Sequence, residues 1–159
     1  MAREPKTNAI RLLTSRKIPY QAFTFSEEIH SAEEAAAAMG VPAQQVYKTL
    51  VVLRERGRPL LVLVPGGRQL DLRRLAQAIG EKKLRMATQR EAESLTGLLV
   101  GGISALALLN RGFEVYIDDS ARQWEEIYMS AGQRGLNIRL RTEDFLRLTG
   151  ARAVPVAEG

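Results

Sequence analysis

The sequence predicts an α/β fold: a single domain, residues 1–159, with a mixed, partly antiparallel sheet flanked by helices. Segments with period-two or continuously apolar patterns are intermixed with segments that begin at capping residues. Two strand-like segments, 46–53 and 60–64, are separated by a short polar turn, which is typical of a hairpin. The regular helical crossovers that a doubly wound parallel sheet needs are missing.

Helices are predicted from their capping signals. Each begins at a Ser, Thr or Asp, whose side-chain oxygen can accept a hydrogen bond from the first turn. Two of these residues are followed three positions later by the Glu of a capping box. All helices but the first end at a glycine, which adopts the left-handed conformation without strain. The predicted caps are Thr7, Ser31, Asp71, Thr88 and Thr142, and the terminating glycines are Gly40, Gly80, Gly97 and Gly150.

Strands are predicted in short segments rich in β-branched and aromatic residues. They cover residues 20–25, 46–53, 60–64, 84–86, 114–118, 127–129 and 136–140. Residues 98–104 form a strand-like apolar run into two glycines, where the backbone turns, bulges or admits a close neighbour. Residues 1–6 are expected to be a loose arm, and the tail from Ala151 either an ordered strand end or frayed.

Lys48 lies in an otherwise apolar strand. Period two places it on the same face as Val46, Leu50 and Val52. Its ammonium must extend past the start of the strand into water, meet an anion, or remain partly desolvated. The last two arrangements describe a binding or catalytic site, whereas the first describes an ordinary lysine at a strand edge.

Composition narrows the classes of protein and site. The chain has no apolar run long enough to cross a bilayer and no signal-peptide core, so we expect a cytoplasmic protein that makes no membrane contact. Because it has no cysteine, thiolate nucleophiles and thiolate metal sites are excluded. A single histidine, His30, cannot form a multi-histidine metal site, and the Asp118-Asp119 pair fits a turn better than a cation site. We therefore expect no metal and no cofactor.

The formal net charge is +5, with basic residues grouped in two sets. Such groups are either solvated faces or a footprint for a nucleic-acid backbone, and the sequence leaves both open. The first set comprises Arg54, Arg56, Arg58, Arg73, Arg74, Lys82, Lys83 and Arg85, and the second comprises Arg134, Arg139, Arg141 and Arg147.

The pair Gly101-Gly102 suggests one kind of chemistry. Backbone amides that point at developing negative charge are a strong catalytic device that needs no special side chain. Together with Lys48 and the polar loop 130–135, free glycine amides would suit hydrolysis of an ester activated by its leaving group. Taken singly, each glycine is more often part of a plain turn.

Five blocks of the sequence, in order, resemble the bacterial YbaK/EbsC family, free-standing relatives of the editing domain of prolyl-tRNA synthetases. They are TNAIRLL at 7–13, VYKTL at 46–50, QLDLRRLAQAIG at 69–80, TGLLVGGIS at 96–104 and IYMSAGQRGLNIRL at 127–140. The resemblance implies a barrel-like mixed sheet and an aminoacyl-tRNA deacylase that clears mischarged tRNA. The expected substrates are Cys-tRNA(Pro), Cys-tRNA(Cys) or another small amino acid on tRNA, and prolyl-tRNA synthetase is a candidate partner.

The same resemblance assigns roles by position. Lys48, Gly101 and Gly102 match catalytic positions, with the lysine orienting the ester and the glycine amides facing its carbonyl. In cysteine-specific members the substrate's own thiol attacks, so that a lyase classification is an alternative to hydrolase. Phe25 and Asn137 depart from the family pattern, as does Ala105, and they leave the amino-acid specificity open. The substrate-binding candidates are Phe25, His30, Thr49, Ile103, Ser104, Ser130 and Asn137.

A second hypothesis belongs to a different class. The same pocket and arginines would also serve a non-catalytic regulatory module that binds a nucleic acid or small ligand. Binding to RNA weakens as salt rises in both cases, because phosphate contacts release counterions. Hydrolysis of an aminoacyl-tRNA separates the two hypotheses.

Overall fold

The computed structural model describes residues 5–158, which form a mixed sheet with helices on both faces. The helices are α1 (Asn8–Ser15), α2 (Ala32–Met39), α3 (Leu72–Ile79), α4 (Gln89–Thr96) and α5 (Thr142–Thr149). The strands are β1 (Tyr20–Thr24), β2 (Val46–Arg54), β3 (Leu60–Pro65), β4 (Leu84–Met86), β5 (Glu114–Asp118), β6 (Glu126–Gln133), β7 (Leu136–Arg141) and β8 (Arg152–Val154). Short 3₁₀ helices cover Ala43–Gln45 and Asp119–Gln123.

The strand order is β1-β7-β6-β2-β3-β5-β8, and β4 pairs with the far end of β2. The hairpins β2–β3 and β6–β7 are antiparallel, whereas β2–β6, β3–β5 and β5–β8 are parallel. The predicted mixed, partly antiparallel sheet is confirmed. The expected barrel-like closure is wrong, because among the described strands β1 and β8 end the sheet and do not pair with each other.

Side-chain caps start four of the helices as predicted. Thr7, Ser31, Asp71 and Thr88 each accept a hydrogen bond from the first turn, and Thr88 forms a complete capping box with Glu91.

Thr142 is not the cap of α5. It lies in the first turn, and its hydroxyl donates to the Trp124 carbonyl oxygen at 2.7 Å. Arg141 occupies the N-cap position without a side-chain bond. A threonine near a helix start therefore predicted the helix but misplaced its boundary by one residue.

The structure gives the conformation of two segments for which the sequence left alternatives open. Residues 98–104 form turns and not a strand, and the tail is ordered as β8, which pairs with β5. The predicted arm at residues 1–6 lies mostly outside the described residues. Between residues 5 and 158, no helix has the length and apolar character needed to cross a bilayer.

The two faces of the sheet carry different helices. Leu13 of α1 and Phe145 of α5 are buried on one face, and Leu75 of α3 and Ala36 of α2 are buried on the other. Every residue of β3 is buried between them. Side chains of β2 alternate between the faces, so that Lys48 belongs to the face covered by α2 and α3.

Candidate active site

The candidate site lies where β2 loses its neighbour in the sheet. β2 pairs with β6 only at Val46 and Tyr47, and with β4 only from Val52 onwards. No other described strand pairs with this edge in between, so a gap opens beside the middle of β2. The main-chain N–H and C=O groups along a strand point alternately to its two edges. The Val46 carbonyl oxygen accepts a hydrogen bond from Gly66 N, on the β3 side of β2. The main-chain groups of Thr49, three residues later, therefore point to the other edge and face this gap.

Polar side chains from three strands share the sheet face at this gap. Val46 lies opposite Tyr128, and both pack beneath α2. Two residues further along each strand, Lys48 and Ser130 project to the same side. Ser130 is the cross-strand partner of Asn137, which places an amide next to the serine. The pairing register therefore brings together side chains that are far apart in the sequence.

These side chains line a pocket of about 210 Å³. Most of the residues predicted to form the site meet here, whereas Gly102 and Ser104 do not line the pocket. The predicted residues that do so are Phe25, His30, Lys48, Thr49, Gly101, Ile103, Ser130 and Asn137.

Several lining residues were not predicted from the sequence. Val46 and Leu50 could have been inferred, because they share the face of Lys48 along the strand. The start of α2 gave only a capping signal, which indicates a helix end but not what it faces. The residues found only in the structure are Ile29, Ser31, Ala32, Glu33, Ala35, Val46, Tyr47, Leu50 and Val100.

Lys48 is half-buried at the wall of the pocket. Its ammonium makes no hydrogen bond or ion pair with any other residue in the described part of the chain. The one carboxylate that lines the pocket, Glu33, is exposed at the rim. A partly desolvated cation without a partner gains interaction energy when an anion or a polarised carbonyl enters. The pocket is thus suited to a ligand group that carries or develops negative charge.

The two glycines of the turn after α4 have different roles in the structure. Gly101 lines the pocket with φ at +95°, and a Cβ there would lie 3.2 Å from the His30 Cα. The N–H of Gly102 donates to Leu99 O at 2.7 Å, and a Cβ at Gly102 would lie 2.8 Å from backbone atoms of Gln133 and Arg134. The expectation that both amides are free is therefore wrong for Gly102, because its N–H closes the turn.

Two serines and the histidine have local hydrogen bonds. Ser104 is buried, and its hydroxyl accepts from Ala107 N at 3.2 Å, so this residue supports the following turn. The Ser130 hydroxyl accepts from Gly132 N at 3.3 Å and still faces the pocket. The Nε2 of His30 lies 3.1 Å from Glu27 O, and because a carbonyl only accepts, Nε2 carries the proton and Nδ1 is left without one in the neutral ring.

A buried hydrogen-bond network includes Tyr47, which is next to Lys48 in β2. The Tyr47 hydroxyl lies 2.8 Å from the Ser120 hydroxyl, and burial raises the pKa of Tyr47 to about 12, so the phenol keeps its proton. Asp118 accepts from the main-chain amides of Ser120, Val156 and Ala157. Burial alone would raise the pKa of the Asp118 carboxyl, but the hydrogen bonds from the Ser120 side chain and from these amides outweigh it, and the pKa is lowered.

Asp118 serves the turn after β5, as predicted for the Asp118-Asp119 pair. Its carboxylate caps the 3₁₀ helix that follows and holds the C-terminal segment. Within residues 5–158, no group of three or more His, Cys, Asp or Glu side chains is arranged to hold a metal ion.

Comparisons with known proteins agree with one another. Residues 26–148 match the model of a family described as the aminoacyl-tRNA editing domain. A protein of Enterococcus faecalis, provisionally named Cys-tRNA(Pro)/Cys-tRNA(Cys) deacylase EbsC, is 36% identical over 151 residues, which cover 94% of this chain and 92% of that protein. A proline–tRNA ligase of Nitratidesulfovibrio vulgaris is 39% identical over 72 residues, which cover 45% of this chain and 12% of the ligase.

Solved structures share the whole fold. One, provisionally described as a trans-editing enzyme for prolyl-tRNA synthetase, matches with a TM-score of 0.84 at 29% identity and covers 98% of this chain and 100% of that chain. Another, of a hypothetical protein, matches with a TM-score of 0.87 at 24% identity and covers 95% of this chain and 99% of that chain. The fold of this chain is thus found in other proteins.

Proposed function

Because the chain belongs to the aminoacyl-tRNA editing domain family, we propose that it is a deacylase that hydrolyses the ester between a mischarged amino acid and tRNA. The substrate would be Cys-tRNA(Pro), Cys-tRNA(Cys) or a tRNA charged with another small amino acid. The observation that carries this proposal is the Lys48 ammonium, which has no hydrogen-bond or ion-pair partner among residues 5–158, in a small pocket that Gly101 also lines.

The reaction needs little from the protein beyond positioning and charge. Water adds to the ester carbonyl, the bond from the carbonyl carbon to the ribose oxygen breaks, and that oxygen takes up a proton. Lys48 would orient the ribose end of the ester and stabilise negative charge on it. The Gly101 N–H has no hydrogen-bond partner among the described residues, so it is the amide we assign to the carbonyl oxygen in place of Gly102.

The pocket size supports a small amino acid. A volume of about 210 Å³ accommodates a short side chain with the ester, while the terminal adenosine stays at the mouth. Phe25, Val100 and Ile103 give the wall an apolar character that favours a methyl or thiol group over a charged one. If the side chain is cysteine, its own thiol would attack the ester carbonyl in place of water. The carbon–sulfur bond then forms, the bond to the ribose oxygen breaks, that oxygen takes up the thiol proton, and a cyclic thioester is released without an enzymic nucleophile.

The test is a panel of aminoacyl-tRNAs incubated with the wild-type protein. We expect rapid loss of cysteine or another small amino acid from tRNA(Pro), and survival of correctly charged Pro-tRNA(Pro). Survival of every aminoacyl-tRNA of the panel at micromolar protein would contradict the deacylase function and favour a binding module.

The proposed location of the protein is the cytoplasm, where aminoacyl-tRNAs are used. A complex with prolyl-tRNA synthetase would place the enzyme near its substrate.

A further inference from the structure

A second concave surface lies between α3, β4 and the end of β2. We call it the α3–β4 groove; its volume is about 880 Å³. It is lined by apolar residues together with basic and acidic side chains. The charged residues that line it are Arg54, Arg73, Lys82, Lys83, Arg85, Glu55 and Glu81.

Only some of these cations are neutralised within the chain. Arg54 pairs with Glu81 at 3.4 Å, and Arg85 pairs with Glu91, just outside the groove, at 2.8 Å. The remaining three, Arg73, Lys82 and Lys83, are exposed, and their side chains form no ion pair with another described residue. Glu55 is the one carboxylate of the groove that is similarly unpaired in this part of the chain. The groove therefore presents an excess of available positive charge.

The second basic set of the sequence is different. Arg134 donates to Val100 O at 2.7 Å, Arg139 pairs with Glu126 at 3.4 Å, and Arg147 pairs with Asp144 at 2.6 Å. These three arginines have less capacity for an external anion, whereas Arg141, the fourth member of the set, is exposed and forms no ion pair with another described residue. Among the described residues, the second set therefore leaves fewer cations unpaired than the first.

The groove is aligned with the pocket along one strand. Lys48 and Arg54 lie on β2 an even number of residues apart, so their side chains share the same sheet face. Six residues at about 3.3 Å each separate them by roughly 20 Å. Between them, Leu50 is half-buried, and Met86, the cross-strand partner of Val52, is 39% exposed. Leu50 and Met86 thus place partly exposed apolar side chains between the two sites.

We propose that the α3–β4 groove binds phosphates of the tRNA acceptor end while the pocket holds the aminoacyl ester; this inference rests on the proposed function. The unpaired 3′ end of tRNA is a flexible strand with a phosphate at every nucleotide, and a few nucleotides span the distance to the groove. Cationic walls track such a backbone, and apolar side chains on the way contact its bases. An acidic protein partner could pair with the cations of the groove, but nothing in the structure would require it to extend to Lys48.

The test compares two substrates that share the ester but differ in phosphates. The variant Arg73→Glu/Lys82→Glu/Lys83→Glu is assayed on aminoacyl-tRNA and on a 3′-aminoacyl-adenosine. For the tRNA we expect KM to rise on the order of 10- to 100-fold with kcat changed less than about 2-fold, and the slope of log(kcat/KM) against log salt to fall by about 2 to 3. The short ester should be cleaved as by the wild type.

The matched control is Arg11→Glu/Arg122→Glu/Arg141→Glu. These arginines are exposed, have no ion pair with another described residue, lie outside the groove, and give the same change in net charge. An equal rise in KM in both triple variants, or an unchanged KM in the groove variant, would overturn the assignment. If the wild type cleaves neither substrate, the proposed function fails instead, and binding of uncharged tRNA to the three proteins still tests the groove.

Discussion

Gly102 is packed tightly against the backbone of neighbouring segments. Its N–H closes a turn with Leu99, and its Cα faces the backbone between β6 and β7. The pattern of two adjacent glycines predicted a close approach, but it could not tell a ligand from another part of the chain. Only the distances in the folded molecule separate these cases.

Gly102→Ala is therefore expected to destabilise the fold. The new Cβ would lie 2.8 Å from main-chain atoms of Gln133 and Arg134, which cannot rotate away, so the free energy of unfolding should fall by roughly 1–3 kcal/mol. The matched control is Gly97→Ala, where φ is +73° but no atom lies within 4 Å, and backbone strain alone should cost about 1 kcal/mol. Urea unfolding measures both, and a smaller loss for Gly102→Ala than for Gly97→Ala would contradict the packing account.

Lys48 shows what one residue can reveal from sequence. For a lysine in an apolar strand, the sequence left three environments of the ammonium open: water, an anion, or partial desolvation. The structure places Lys48 in the wall of a pocket, without a partner in the described chain. Strand periodicity gave its face correctly, because alternation is a local property of the backbone. Its role in catalysis remains a prediction.

At the scale of elements, capping signals predicted the helices correctly, because a helix cap depends only on contacts between residues about three positions apart. Thr88 and Glu91 form the expected reciprocal pair, and Arg85 adds a bidentate hydrogen bond to the same glutamate. This bond is the main reason why the pKa of Glu91 is lowered to about 2. Thr142 broke the rule because a distant acceptor, the Trp124 carbonyl, competes for its hydroxyl.

The link between β5 and the C-terminal segment depends on Asp118. Asp118→Ala would leave the buried amides of Val156 and Ala157 without an acceptor, so we expect the free energy of unfolding at pH 7 to fall by about 2–3 kcal/mol. Asp118→Asn keeps one acceptor oxygen and should lose less. Urea unfolding of the three proteins measures these differences, and equal stability of the alanine variant would contradict the account.

The same residue predicts a dependence on pH. Because the pKa of Asp118 is lower in the folded state, its contribution is present above the ordinary carboxyl pKa of 3.8 and is lost as pH falls below it. The difference in stability between the wild type and Asp118→Asn should therefore shrink on acidification. A difference that grows at low pH would show that the folded-state pKa is raised instead.

At the scale of the molecule, the pocket is a product of pairings between distant segments. Hairpins such as β2–β3 follow from neighbouring patterns, whereas the parallel contact of β2 with β6 joins residues about half the chain apart and leaves no local signal. The family resemblance supplied the site residues, but the separation of β2 from β6 explains why they enclose a space. The sequence likewise did not predict that β1 and β8 leave the sheet open, because strand pairing between distant segments leaves no local signal.

The two faces of the sheet differ in how completely they are covered. One face, with α1 and α5, is filled by the largest buried cluster, and the other leaves Lys48 and the α3–β4 groove accessible between its helices. A fold of this kind can tolerate changes in the exposed walls that alter specificity, because the core that sets the strand register lies elsewhere.

The most direct test is single-turnover deacylation of the best substrate from the panel by the wild type and by Lys48→Ala. Lys6→Ala, which removes an exposed lysine that does not line the pocket, is the control, and circular dichroism with urea unfolding establishes that all three proteins are folded. Loss of one preorganised charge at the ester should lower the rate about 100-fold or more in Lys48→Ala alone. A rate for folded Lys48→Ala within about 2-fold of the wild type would contradict the assignment of the pocket as the active site.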